Sequence, residues 1–207
     1  MTQIFVLPLT EAKKLSEAVL ARFPLRRARA ERIRSRDGQL HCLGAGALLG
    51  QVLHLDEEKI EIDRFGKPYA PQLERQFNLS HSGGYVVLAV SEGAVGVDVQ
   101  QLGSVRSGVA RRCFTADEQA WAAQNEERFF TVWTLKESVV KAVGLGLRLK
   151  LSSFSVLPLL HADSITVEGV TLYGQTLSLP GHALSVVSAQ PFDSAAEPIF
   201  VTAEELE

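Results

Sequence analysis

Gly96-Val-Asp98-Val-Gln100 reads as a strand, and strand alternation sends Val97 and Val99 to one face and Gly96, Asp98 and Gln100 to the other. A carboxylate in an otherwise apolar strand is costly unless it is paired, hydrogen-bonded or bound to a cation. An exposed strand end is the plainer alternative. Trp133-Thr-Leu-Lys136-Glu137-Ser-Val-Val-Lys141-Ala-Val-Gly144 has helical spacing. Phe129, Trp133, Val140 and Val143 form one apolar stripe, and Lys136 falls on it, so this lysine snorkels or serves a purpose. Glu137 and Lys141 stand one turn apart. They make either a surface ion pair worth roughly a few tenths of a kcal/mol or a carboxylate for a cation and an ammonium for a phosphate. The two motifs together offer oxygen ligands of the type Mg²⁺ prefers, with places left for water and phosphate.

Asn78-Leu-Ser80-His81-Ser-Gly-Gly84 ends a strand in a polar, glycine-containing turn. Its hydroxyls, imidazole and backbone N–H groups suit an anion; a tight hairpin explains it equally. Gly66-Lys67-Pro68-Tyr69 is accounted for by a turn, and Glu118 of Thr115-Ala-Asp-Glu118 by a capping box. Residues 22–36 carry Arg22, Arg26, Arg27, Arg29, Arg32, Arg34 and Arg36 against Glu31, so this segment is +6 and the remainder −9. That pattern is either a solvated helix face or a docking site for phosphate or an acidic protein.

The elements that must position these groups follow from periodicity and caps. A strand is expected at 4–7, a helix from Thr10 to about Arg22, an arginine-rich helix starting at Pro24 and a small-residue helix from Leu40 to His54. Lys59–Asp63 alternates like a strand, and strands are expected at 77–80, 85–90 and 95–99. Thr115 opens one helix; Asn125 caps another that stops at Gly144. Strands follow at 154–157, 165–167, 171–177 and 182–187. The class is α+β, with two similar lobes, 1–100 and 101–207, and a cleft between them.

Composition agrees with a soluble globular chain. The 207 residues are 46% hydrophobic and 22% charged, with net charge −3, which excludes disorder, collagen and coiled coil. Cys42 and Cys113 make no disulfide framework and suggest a reducing compartment. The N-terminus does not read as a signal peptide and no stretch reaches the roughly 18 apolar residues of a membrane span, so a cytoplasmic location is expected. With no basic surface outside 22–36, neither nucleic acid nor membrane is an expected partner.

Taken in order, these segments resemble the 4′-phosphopantetheinyl transferases of the surfactin-synthetase-activating (Sfp) type. The resemblance rests on Phe-Gly-Lys67-Pro68, Asn-Leu-Ser80-His81-Ser, Gly-Val-Asp98-Val-Gln100, Phe114-Thr-Ala-Asp-Glu118 and Trp133 to Gly144, over residues 64 to 146. The arginine-rich and small-residue helices match the family layout too. The resemblance implies a pseudo-twofold α+β fold with the active site between its lobes. It also implies transfer of 4′-phosphopantetheine from coenzyme A to a serine of a small acidic apo carrier protein, dependent on Mg²⁺, or Mn²⁺ in its place, by a monomer.

Carried over by position, Asp98 and Glu137 resemble metal carboxylates, and Glu137, or a metal-bound water beside it, helps take the serine proton. Lys141 resembles the lysine that meets the transferred phosphate, with Lys136 beside it on the coenzyme side. Ser80 and His81 match a turn touching coenzyme A phosphates, Lys67 and Pro68 a segment beside the adenine nucleotide, Arg26 and Arg29 basic residues near the 3′-phosphate, and Glu118 an acid at the metal-site edge. Two departures stand out. Gln100 replaces a second acid, which removes one negative charge from the metal set, and His41 replaces an arginine, which makes a phosphate contact pH-sensitive. Gln100 carries the alternative reading, a non-catalytic homologue that binds coenzyme A or a carrier protein. A Mg²⁺-dependent hydrolase of nucleotide pyrophosphates fits the charges but not the ordered motifs.

Overall fold

The computed structural model describes residues 1–104 and 107–206. Strand β1 (Gln3–Pro8) opens the chain. Two short helices follow, α1 (Leu9–Ala12) and α2 (Glu17–Ala21), where one helix from Thr10 was expected. Thr10 lies inside α1, and Ser16 accepts the Val19 N–H and starts the second helix afresh. Pro24 takes the first position of α3 (Pro24–Glu31), where its missing N–H forfeits no hydrogen bond. Ser35 caps α4 (Arg36–Leu53) ahead of the start expected at Leu40.

The Arg64–Tyr69 turn joins two very short strands, β2 (Glu61–Ile62) and β3 (Pro68–Tyr69). Next come β4 (Gln76–Ser82), β5 (Tyr85–Ser91) and β6 (Val95–Gln101), extending the expected strands by one or two residues. Helix α5 (Ser107–Cys113) was not foreseen. The capping box of Thr115 and Glu118 opens α6 (Ala116–Ala122), and Asn125 caps α7 (Glu126–Val143). Gly144, at φ 80°, ends α7 in a left-handed conformation that suits glycine.

The strand expected at 154–157 is replaced by short 3₁₀ turns at Leu151–Ser153 and Leu157–His161. Backbone groups between them are held by side chains: Phe154 O accepts from Lys136 and the Val156 N–H donates to Glu118. The fold closes with β7 (Ser164–Val167), β8 (Val170–Leu179), β9 (His182–Ser188) and β10 (Pro198–Phe200).

Two four-stranded sheets result, ordered β10-β1-β5-β4 and β6-β9-β8-β7. One face of the first sheet packs Leu7, Val86, Leu88 and Val90 against Leu48 and Leu49 of α4. Its other face brings Ile4, Val6, Val87 and Ala89 onto Val95, Val97, Val99, Leu184 and Val186 of the second sheet. The far side of the second sheet, with Leu172 and Val187, meets Leu135 and Val139 of α7. Helices therefore lie outside and the two sheets inside, an α+β arrangement in which two 18-residue helices, α4 and α7, each cross one sheet.

A division at residue 100 does not follow the sheets. β6 falls in the stretch expected in the N-terminal lobe, yet its backbone pairs with β9 from Val95↔Ser188 to Gln101↔His182. β10 returns to the first sheet beside β1 in parallel. Side chains join the two sheets where β4 meets the free edge of β6. Asn78 Oδ1, Ser80 Oγ and Ser82 Oγ accept the N–H groups of Val97, Val99 and Gln101 at 2.9, 3.2 and 3.0 Å.

Candidate active site

Gly96 allows α7 to lie directly on β6. A Cβ there would stand 2.0 Å from Ser138 O and 2.6 Å from Ala142 N. This close approach brings Glu137 and Lys141 over the face of β6 that carries Asp98 and Gln100, as the strand alternation requires. Asp98, Gln100, Glu137, Lys141, Ser80, His81, Leu79 and Trp133 line one open pocket of about 360 Å³.

Lys141 binds three groups there. Its ammonium donates to Asp98 Oδ1 at 2.6 Å, Val97 O at 2.9 Å and Ser80 Oγ at 3.1 Å. Ser80 also donates to Asp98 Oδ1 at 2.9 Å. Glu137 has no hydrogen bond or ion pair to its carboxylate among the described residues. Burial pushes its carboxyl above the ordinary value, and the negative charge of Asp98 adds to the shift while Lys141 opposes it.

Two carboxylates and an amide oxygen on one pocket, one carboxylate unpaired and repelled by the other, form an all-oxygen donor set short of positive charge. That set fits a hard divalent cation. Among the described residues, no group of three or more His, Cys, Asp or Glu could hold a metal, so Gln100 would have to complete the set.

A second pocket continues the first. Leu79 and Lys141 line both, and Phe65, Gly66, Lys67, Pro68, Asn78, Val140, Gly144 and Gly146 line the extension. Lys67 is thus on the groove, but its ammonium donates to Val95 O at 3.3 Å and Ala142 O at 3.1 Å. Burial lowers its pKa to about 8. At the other end His81 stacks on His41 with ring centroids 4.6 Å apart. The buried His41 donates from Nε2 to Gly83 O at 3.0 Å. Burial pushes the His81 imidazole down, and His41, Lys141 and Arg29 lower it further while Asp98 opposes them. Arg29 is exposed on α3, whereas Arg26 packs partly buried and pairs with Glu57 at 3.4 Å.

Two of the residues expected here do not reach the groove. Lys136 and Glu118 are both fully buried and paired at 2.9 Å. Lys136 also donates to Leu151 O and Phe154 O, each at 2.7 Å, and burial lowers its pKa against the opposing charge of Glu118. Glu118 Oε2 accepts the Thr115 N–H and Oε1 the Val156 N–H. Lys136 on the apolar stripe therefore neither snorkels nor lines the groove; it pairs with Glu118, which is itself fully buried and bonded to backbone N–H groups.

Sequence reasoning missed Asn78, Ser82 and His182 as structural partners of the site. The first two were legible in principle, as a polar i, i+2, i+4 face on β4. His182 reaches across from β9 to accept the Gly84 N–H at 3.2 Å, with Nδ1 set against Pro180 O at 2.8 Å, and nothing local announces it.

Residues 94–187 match the family model of the 4′-phosphopantetheinyl transferase superfamily. The chain is 35% identical over 183 residues to the 4′-phosphopantetheinyl transferase psf-1 of Bacillus pumilus, spanning 82% of this chain and 74% of that one. It is 33% identical over 182 residues to the 4′-phosphopantetheinyl transferase Sfp of Bacillus subtilis (strain 168), spanning 77% and 80%. An L-aminoadipate-semialdehyde dehydrogenase-phosphopantetheinyl transferase of Mus musculus is 32% identical over 136 residues, spanning 54% and 44%. Identity of about a third along most of both bacterial chains shows that this chain belongs to the 4′-phosphopantetheinyl transferase superfamily.

Proposed function

We propose that this protein transfers the 4′-phosphopantetheine group of coenzyme A to a serine hydroxyl of an apo carrier protein, releasing adenosine 3′,5′-bisphosphate. The observation that carries the reading is the meeting of Asp98, Glu137 and Lys141 on one pocket beside a second pocket that Lys67 lines. The serine oxygen bonds to the phosphorus that bears the pantetheine arm, and the bond from that phosphorus to the bisphosphate leaving group breaks. Glu137 helps take the hydroxyl proton; its carboxylate lines the same pocket as Asp98 and Lys141. Lys141 sits where it can turn from Asp98 to the transferred phosphoryl group. His81 offers an N–H donor at the other end of the groove, and the Arg29 guanidinium, whose charge helps lower the His81 pKa, adds positive charge nearby. A divalent cation, Mg²⁺ or Mn²⁺, held by Asp98, Glu137 and the Gln100 amide oxygen would neutralise the pyrophosphate charge.

The reading extends to a monomer in the cytoplasm acting on coenzyme A and a small acidic carrier, with neither nucleic acid nor membrane involved. Among the described residues no helix is long and apolar enough to cross a membrane, and both cysteines are free. Arg32, Arg34 and Arg36 are exposed where α3 gives way to α4, a cationic face for an acidic partner.

Intact mass of an apo carrier protein incubated with this protein, coenzyme A and Mg²⁺ tests the reaction. One added phosphopantetheine is expected, lost in EDTA and in Asp98→Ala and Glu137→Ala proteins that keep their circular dichroism. Retained turnover in either variant removes its carboxylate from the chemistry. The KM for carrier should rise with salt, because exposed charges are screened over about 8 Å at physiological ionic strength; a salt-independent KM removes the arginine face from the encounter.

A further inference from the structure

A hydroxyl offers one proton and two lone pairs, and the Ser80 hydroxyl uses all three within the protein. Its proton goes to Asp98 Oδ1 at 2.9 Å, and its lone pairs receive the Val99 N–H at 3.2 Å and the Lys141 ammonium at 3.1 Å. Ser80 is 7% exposed. Asn78 and Ser82, on the same face of β4, hold the edge of β6 in the same way, but among the described residues neither bonds a carboxylate. Ser80 joins the strand edge, the lysine and the acid in one network. Both side-chain donors to Asp98, Ser80 and Lys141, bind the same oxygen, Oδ1, which leaves Oδ2 without a protein donor among the described residues.

We infer that Ser80 is a positioning residue that fixes the Asp98 carboxylate, with Oδ2 free for a cation, and is not a ligand of the coenzyme phosphates. A phosphate oxygen accepts hydrogen bonds, so Ser80 could bind one only by turning its single proton away from Asp98, whereas His81 and Arg29 need give up no such bond. The inference rests on the proposed reading of Asp98 as a cation ligand.

The test uses the full chain as Ser80→Ala, Ser80→Thr and Asp98→Asn proteins. Mn²⁺ alone is titrated by electron paramagnetic resonance of the free ion, and coenzyme A alone is titrated by calorimetry in EDTA. Loss of a group that orients a ligand commonly weakens metal binding by about 10- to 100-fold, so Ser80→Ala should lower Mn²⁺ affinity by about tenfold or more. Coenzyme A affinity in EDTA should stay within about twofold, and Ser80→Thr, which keeps the hydroxyl, should recover most of the Mn²⁺ affinity. Coenzyme A binding weakened about tenfold in EDTA, with Mn²⁺ binding unchanged, would overturn the inference and make Ser80 a phosphate ligand. Asp98→Asn reports separately: if it binds Mn²⁺ as the parent does, the cation reading of the site fails on its own account.

Discussion

Gln100 lines the pocket with Asp98 and Glu137 but brings no charge to it. Glu137 is already pushed above the ordinary carboxyl value by burial and then by Asp98. A third carboxylate would therefore add repulsion in the free protein and attraction for a cation in the bound one. Gln100→Glu is expected to lower the Mg²⁺ concentration for half-maximal transfer by about tenfold, since affinity of such sites follows ligand charge. The same variant should melt below the parent in EDTA and regain the difference in Mg²⁺; initial rates and thermal melts check both. An unchanged Mg²⁺ dependence would place residue 100 outside the cation set.

Helix α7 works at two faces. Glu137 and Lys141, four residues apart, face the groove, while Lys136 is buried with Glu118 and ties α7 to α6 and the 151–156 loop. Removing one member of a buried pair leaves the other charge unpaired, so Lys136→Met or Glu118→Gln alone should each lose about 3 to 5 kcal/mol of stability. The double variant should lose less than the sum, because its glutamine keeps an acceptor for a backbone N–H and no charge is stranded. Denaturant titration of the four proteins decides; strict additivity would mean that the two side chains act independently. The same pair explains why the 154–157 strand did not form. Apolar alternation there looks like a strand, but the carbonyl of Phe154 and the N–H of Val156 are satisfied by Lys136 and Glu118 rather than by a neighbouring strand.

At the scale of the whole molecule, Lys67 links the Arg64–Tyr69 turn to both β6 and α7 through the carbonyls of Val95 and Ala142. Burial holds its pKa at about 8, below the free value of 10.5. Between those two pH values the unfolded chain binds more protons at this site than the folded one, so folding stability gains as pH rises through that window. Below pH 8 both states carry the charge and the burial penalty is present in full. The parent should therefore gain stability relative to Lys67→Met between pH 8 and 10, read as the difference in unfolding free energy. A constant difference across that range would show that the Lys67 ammonium is as well hydrated folded as unfolded.

Local chemistry was legible wherever neighbouring residues decide the outcome. The alternation of Gly96 to Gln100, the caps at Thr115 and Asn125 and the stop at Gly144 follow from backbone periodicity and hydrogen-bonding needs that a few adjacent residues satisfy. The sequence by itself thus determined the α+β class, the strand that carries Asp98 and the helix face that carries Glu137 and Lys141. Tertiary structure decided which partners those groups meet. Lys136 and Lys141 are the same residue type on one helix, yet one is sealed against Glu118 and the other opens on the groove. The side-chain bonds from β4 to the edge of β6, the return of β10 to β1 and the reach of His182 to Gly84 span 19, 194 and 98 residues of chain. Such contacts depend on how two sheets stack and which edge is left unpaired, and no local pattern encodes that.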